Sequence, residues 1–209
     1  MDVDEAWRHI DQQRADLAEF LDSLSDEQWA TPSLCDGWTV RDVAVHLTHS
    51  AASWPRMAWQ AVRAGFRFND MVARAARDDT STPAEVVTTL RGMVGGRRRP
   101  PGTAVVDPLM DVLVHGQDIA IALGVDRAMP VTPAVAAAER VWGMGFPLHA
   151  STRFHGLAFT ATDAPFAVGE GSAVFGPIKD ILLVLAGRRA GVAGLSGDTT
   201  ALALALDHR

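Results

Sequence analysis

Along the apolar stretch DPLMDVLVHGQDI, residues 107–119, three polar side chains recur on one line: Asp111, His115 and Asp118. On a helix turning about 100° per residue they fall within about 60° of one another, and Val112, Leu113, Ile119, Ala120 and Leu123 take most of the remaining circumference. The line therefore faces inward or into a cleft. An unpaired carboxylate buried there costs several kcal/mol, so a cation, a donor network or water has to meet the two acids. Asp111 and His115 are one helical turn apart, a spacing that lets a carboxylate oxygen and an imidazole nitrogen converge on one ion.

A third ligand must come from another element. In VRDVAVHLTH, residues 40–49, His46 lies about 60° from the centre of the apolar stripe, at its edge, whereas His49 lies about 120° away and is expected to look outward. Two imidazoles and a carboxylate are the set used by catalytic zinc, nickel or iron sites that keep a position open for water or substrate. On spacing alone, a solvated face or a satisfied buried pair uses the same residues. Asp118 is expected to orient His115 rather than complete the set. His9, His149, His155 and His208 have no partner spacing and read as surface histidines. Cys35 sits in a loop with no histidine at a useful spacing and reads as structural.

The elements that must position these residues are helical up to about residue 150. Residues 4–22 form an amphipathic helix on Trp7, Ile10, Leu17, Phe20 and Leu21, and Ser25 opens an extra turn. Thr39 and Asp42 have capping-box spacing for a second helix whose stripe is Val40, Val43, Leu47, Ala51 and Trp54, with a kink or end at Pro55 and a resumption through Met57, Trp59 and Val62. A third helix opens at Thr82-Pro83. The fourth, carrying the polar line, has Asp107 as N-cap, Pro108 at the first position and Gly124 just past its end. A fifth covers about 133–146. Four helices on short to medium loops suggest a bundle.

After about residue 151 the period changes. Residues 157–162 alternate as a strand, PFAVGEGSAVF reads as a hairpin turning at Gly169 to Gly171, and Pro177 opens a helix closed at Gly187. The expected organisation is a helical bundle over 1–150 and a small α+β domain over 151–209.

Composition narrows the class. With 209 residues, 48% hydrophobic and 21% charged, the chain reads as globular rather than disordered. A net charge of −6 does not suit a general nucleic-acid binder, and no segment is apolar over a bilayer-spanning length, so neither nucleic acid nor membrane is an expected partner. The charged N-terminus lacks a signal-like apolar run, and one cysteine fits a reducing compartment. On both counts the expected location is the cytoplasm. Apart from Lys179 every basic residue is arginine, the codon bias of a high-GC genome.

Three stretches, CDGWTVRDVAVHL (35–47), DVLVHGQDIAIALG (111–124) and GPIKDILLVLAGRRAGVAGLSGD (176–198), together resemble the mycothiol-dependent maleylpyruvate isomerase family, a DinB-like group of metal-binding four-helix bundles with a small C-terminal α+β domain. The resemblance implies a mainly α fold of that type. Residue by residue, it implies metal ligation by His46, which follows Trp38 by eight positions, and by Asp111 and His115. The family pattern has glutamate at Asp111. Aspartate, one methylene shorter, must approach more closely, bind through water or bind less tightly. The resemblance further implies a divalent metal, zinc first and nickel second, and mycothiol as thiol cofactor. The metal would lower the thiol's pKa for addition to an electrophilic small molecule, as in isomerisation of maleylpyruvate or in the S-transferases of the same fold. It assigns a catalytic role to Arg188, which could clamp a substrate carboxylate. A non-catalytic metal- or ligand-binding bundle and a hydrolase using bound water are the rival readings, and monomer and homodimer are both open.

Overall fold

The computed structural model describes residues 1–49, 74–99 and 102–207. Asp2 opens helix α1 (Val3–Asp22) by accepting the Glu5 N–H at 2.7 Å, so the helix begins where a side chain satisfies a free backbone donor. Its buried face carries Trp7, Ile10, Leu17, Ala18 and Leu21. The extra turn expected at Ser25 is the short α2 (Asp26–Trp29), on which Ser25 and Gln28 form a reciprocal capping box. A β-bridge between Pro32 and Thr39 closes the loop that follows, and within it the Trp38 N–H returns to Cys35 O at 3.0 Å around Gly37, whose φ of 73° suits glycine.

Thr39 and Asp42 exchange hydrogen bonds at the start of α3 (Val40–His49), the Thr39 N–H donating to Asp42 Oδ2 at 2.9 Å and the Asp42 N–H to Thr39 Oγ1 at 3.2 Å. The expected continuation of this helix through Ala51, Trp54, Pro55, Met57, Trp59 and Val62 lies outside the described residues. Thr82 and Glu85 cap α4 (Pro83–Gly92) in the same reciprocal way, with Pro83 in its first turn. Helix α5 (Val106–Ala122) begins earlier than the sequence suggests, and Asp107 is not its N-cap. That residue lies inside the first turn, where its Oδ2 accepts the Ala104 N–H at 2.8 Å. Pro108 is tolerated two residues into the helix because the first-turn N–H groups have no intrahelical partner to lose. The helix ends as expected before Gly124, at φ 69°.

Contacts among these helices close a ring, α1 to α5, α5 to α3, α3 to α4 and α4 back to α1, which is the bundle. Its core joins Leu17, Leu21, Val43, Leu47, Val86, Leu90, Val112 and Ile119.

The chain divides into the units Asp2–Arg127 and Ala128–Arg209. The expected division near residue 150 is therefore corrected: helix α6 (Val131–Gly143) packs on α8 (Ile178–Leu185) and on the short α7 (Ala150–Arg153), and so belongs to the second unit. Within that unit the strands β1 (Leu157–Ala161), β2 (Ala167–Gly169), β3 (Ser172–Gly176) and β4 (Ser196–Gly197) make a sheet in the order β2-β1-β3-β4. The hairpin read from PFAVGEGSAVF does not pair with itself. β2 runs antiparallel to β1 on one side and β3 parallel to β1 on the other, so β1 is inserted between them. The link crosses the end of β1 so closely that a Cβ on Gly171, at φ 123°, would stand 2.1 Å from Gly156 O. Alternation and turn residues report a reversal, not which strand fills the gap. A 3₁₀ turn (Arg189–Gly194) and α9 (Thr199–Asp207) complete the unit, whose core centres on Phe154, Phe159, Val174, Ile181 and Leu182.

Gly171→Ala should destabilise the C-terminal unit by roughly 2–4 kcal/mol, since backbone must move. Gly143→Ala, whose Cβ meets nothing within 4 Å, should stay within about 0.5 kcal/mol of the wild type. Denaturant melts of both variants check the contrast.

Candidate metal centre

Helix α5 delivers two acids to one imidazole. The His115 Nδ1–H donates to Asp118 Oδ2 at 2.8 Å, while Nε2 on the other side of the ring stands 3.4 Å from Asp111 Oδ1. The spacings i,i+3 and i,i+4 put both carboxylates within reach of the same ring. Asp118 is fully buried, so its charge needs the donors it has. The Cys35 S–H donates to the same Oδ2 at 3.1 Å. The backbone adds a tie, the Leu34 N–H to Asp118 O at 3.2 Å. Holding the proton on Nδ1 leaves the Nε2 lone pair free for an ion.

Helix α3 brings the second imidazole. His46 Nε2 stands 3.4 Å from Asp111 Oδ1, so one carboxylate oxygen faces both histidines. The His46 ring meets His115 edge-on at 4.8 Å between centroids and Trp38 edge-on at 5.5 Å, which fixes its plane from two sides. The side chains of His46, Asp111 and His115 are part-exposed, which leaves solvent a way in.

His46, Asp111 and His115 present ligand atoms that all lie within 4.8 Å of one another. Ligands about 2.0–2.1 Å from a tetrahedral zinc stand about 3.4 Å apart, the distance from Asp111 Oδ1 to each Nε2. The residues fit such an ion, and the shorter aspartate side chain reaches both imidazoles. Cys35, His115 and Asp118 form a second candidate group that shares His115 through its other nitrogen. That group uses Asp118 twice as a hydrogen-bond acceptor, which suits support of the ring better than ligation.

The structure brings together the four bundle residues that sequence singled out and adds Cys35. Cys35, read as structural with no histidine at a useful spacing, has one nearby in space, its Sγ standing 3.7 Å from His115 Nδ1. A separation of eighty residues in sequence hides such a contact. His49 does not simply look outward either. Its Nε2 meets Asp79 Oδ2 at 3.0 Å, a partner on a segment no helical wheel of α3 includes. Burial pushes the Asp79 carboxyl up, but hydrogen bonds from Ser81 and His49 more than reverse this and hold it at about 2. Arg188 lies in the C-terminal unit at the start of the 3₁₀ turn, where its Nη1 donates to Ala186 O at 2.6 Å.

Residues 10–99 match the family model described as the mycothiol maleylpyruvate isomerase N-terminal domain. No curated protein matches the chain. Among solved structures, the mycothiol-dependent maleylpyruvate isomerase superposes with a TM-score of 0.66 at 15% identity, over 95% of this chain and 94% of that one. A histidine-to-alanine variant of that isomerase superposes with a TM-score of 0.65 at the same identity and coverage. At that identity the likeness is one of fold. It extends through both units, whereas the family model reaches only the first. Among the described residues no helix is long and apolar enough to cross a membrane.

Two outcomes follow from this geometry. Asp118→Ala leaves the Cys35 and His115 donors without their acceptor, and should weaken metal affinity about 10–100-fold. A chelator-competition titration measures it, and unchanged affinity would show that Asp118 does not orient the ring. Asp79 has a folded pKa below its ordinary 3.8, so its stabilisation is fully present above that pH and is lost as pH falls through about 2. Asp79→Asn should therefore lower the melting temperature near neutrality and flatten its decline across that acid window.

Proposed function

We propose that this chain, whose residues 10–99 match the model of the mycothiol maleylpyruvate isomerase N-terminal domain, is a metal-dependent enzyme that uses the thiol of mycothiol against an electrophilic small molecule. The observation that carries this reading is the placement of Asp111 Oδ1 at 3.4 Å from the Nε2 atoms of both His46 and His115. Two imidazoles and one carboxylate would hold a divalent ion with residual positive charge and room for a further ligand, the donor chemistry of a catalytic rather than a structural site. When bound, the ion, zinc first and nickel second, lowers the pKa of a thiol at that position and so supplies a thiolate at neutral pH.

The chain's own residues hold the arrangement. Asp118 keeps the His115 proton on Nδ1, so that Nε2 faces the centre without a proton of its own. Trp38 and the His115 ring restrict His46, and preorganised ligands spare the site a reorganisation cost when the cofactor arrives. The Cys35 S–H is spent on Asp118, so the attacking thiol is taken to be the cofactor's. Isomerisation of a cis double bond by reversible thiol addition and S-transfer to an electrophile need the same centre. The resemblance to the isomerase favours the first, with the S-transferase as its alternative. The resemblance alone also assigns catalysis to Arg188, and that assignment is part of the proposal.

Protein expressed without added metal should carry about one divalent ion per chain by elemental analysis. A His46→Ala, His115→Ala double variant should lose it along with thiol-dependent turnover. Arg188→Gln should keep the ion and lose turnover by at least about tenfold. Turnover of cis-dienoates or electrophiles that is equal with and without mycothiol would overturn the thiol reading. Full metal retention in the double variant would overturn the site.

A further inference from the structure

The buried face of α1 carries an oddity. Arg14 lies in line with Ile10, Leu17 and Leu21 and is only 4% exposed. A guanidinium in that position has five N–H donors to satisfy and a charge to compensate. Among the described residues its only hydrogen bond runs from Nη1 to Met93 O, at 3.2 Å. Asp11, the nearest candidate partner on the same helix, is engaged elsewhere, accepting from the Gly95 N–H and from Arg97 Nη1, each at 2.9 Å. No fully buried side-chain nitrogen or oxygen among the described residues lacks a partner, so the remaining Arg14 donors meet solvent through a narrow opening. Gln13 beside it, 5% exposed, makes no side-chain hydrogen bond among the described residues.

The surroundings of Arg14 tie it to the metal centre. Helix α1 packs along α5, and burial pushes the guanidinium below its ordinary range while Asp11 and Asp111 pull it back. Asp111, the carboxylate that faces both histidines, is thus within electrostatic reach of Arg14 without pairing with it. An ion held by Asp111 would take up that carboxylate's charge and leave the guanidinium only Asp11, which already serves Gly95 and Arg97, as a compensating acid. A planar fork of free donors, desolvated and positive, is a carboxylate receptor.

We propose that Arg14 is the anion-binding residue of the bundle's site, donating its free N–H groups to a carboxylate of the small-molecule substrate. The inference rests on the functional reading above and narrows it to anionic electrophiles, recognised by a residue of the same unit as the metal ligands. The rival is a purely structural arginine tying α1 to the end of α4 through Met93 O.

Calorimetric titration with succinate, an unreactive dicarboxylate, tests it on wild type, Arg14→Met and Arg14→Lys, each metal-loaded and chelator-treated. Arg14→Met should bind succinate at least tenfold more weakly, with Arg14→Lys between the two, and the difference should persist in the chelator-treated protein. The melting temperature of Arg14→Met should hold or rise, because an apolar side chain replaces a poorly paired charge in an apolar stripe. Equal succinate affinity in wild type and both variants overturns the proposal, as does a fall in melting temperature with affinity unchanged. Because succinate does not react, an Arg14-dependent affinity in a protein without thiol-dependent turnover would contradict the functional reading while leaving the anion site standing.

Discussion

One proton, held on His115 Nδ1 by the buried Asp118 carboxylate, decides what this site can be. With the proton there, Nε2 is a bare lone pair pointing at the space between Asp111 and His46. Were it on Nε2, the same atoms would make a hydrogen-bonded cluster with nothing to offer an ion. The protein commits a good deal to that choice. Asp118 is removed from solvent, which is tolerable only because the imidazole, the Cys35 thiol and its helical surroundings are fixed around it. The loop before α3 is fastened to the same residue by the Leu34 N–H, so the backbone that carries Trp38 toward His46 is positioned from α5 as well.

The bundle supplies the rest through spacing. One helix gives His115 both of its acids by i,i+3 and i,i+4 geometry, and the neighbouring helix α3 needs to contribute only His46. Three ligands from two packed helices, each part-exposed, leave the centre open to solvent. Charge is distributed with the same economy: carboxylates lie along α5, and the half-satisfied guanidinium of Arg14 lies on α1. A site meant only to stabilise the fold would pair these groups directly. Keeping a cation near an anion without contact costs stability, and such costs concentrate where function needs unfilled valence.

Much of this was legible in the sequence because helical periodicity acts locally. The polar line Asp111, His115, Asp118 in an apolar helix, the edge position of His46 and the capping pair Thr39–Asp42 are all consequences of fixed spacing within one element. What was not legible depends on elements meeting. Cys35 and His115 are far apart in the chain, and His49 finds Asp79 only through folding. The start of α5 shifted because the Asp107 carboxylate serves the backbone before the helix instead of capping it. The insertion of β1 between β2 and β3 is likewise a choice among pairings that alternation cannot rank. Arg14 stands between these cases. Its place in the α1 stripe could be read from spacing, but the lack of partners that makes it notable could not.

The central claim is that His46, Asp111 and His115 hold the ion while Cys35 and Asp118 stand behind them. X-ray absorption at the metal edge tests it most directly, since nitrogen or oxygen and sulfur neighbours scatter differently and the two candidate groups differ in sulfur. The thiol-free protein should show only nitrogen and oxygen neighbours at about 2.0–2.1 Å, with imidazole scattering, and gain one sulfur at about 2.3 Å when mycothiol is added. A sulfur neighbour already present without added thiol, and abolished by Cys35→Ser, would contradict the account by placing the ion on the other face of His115.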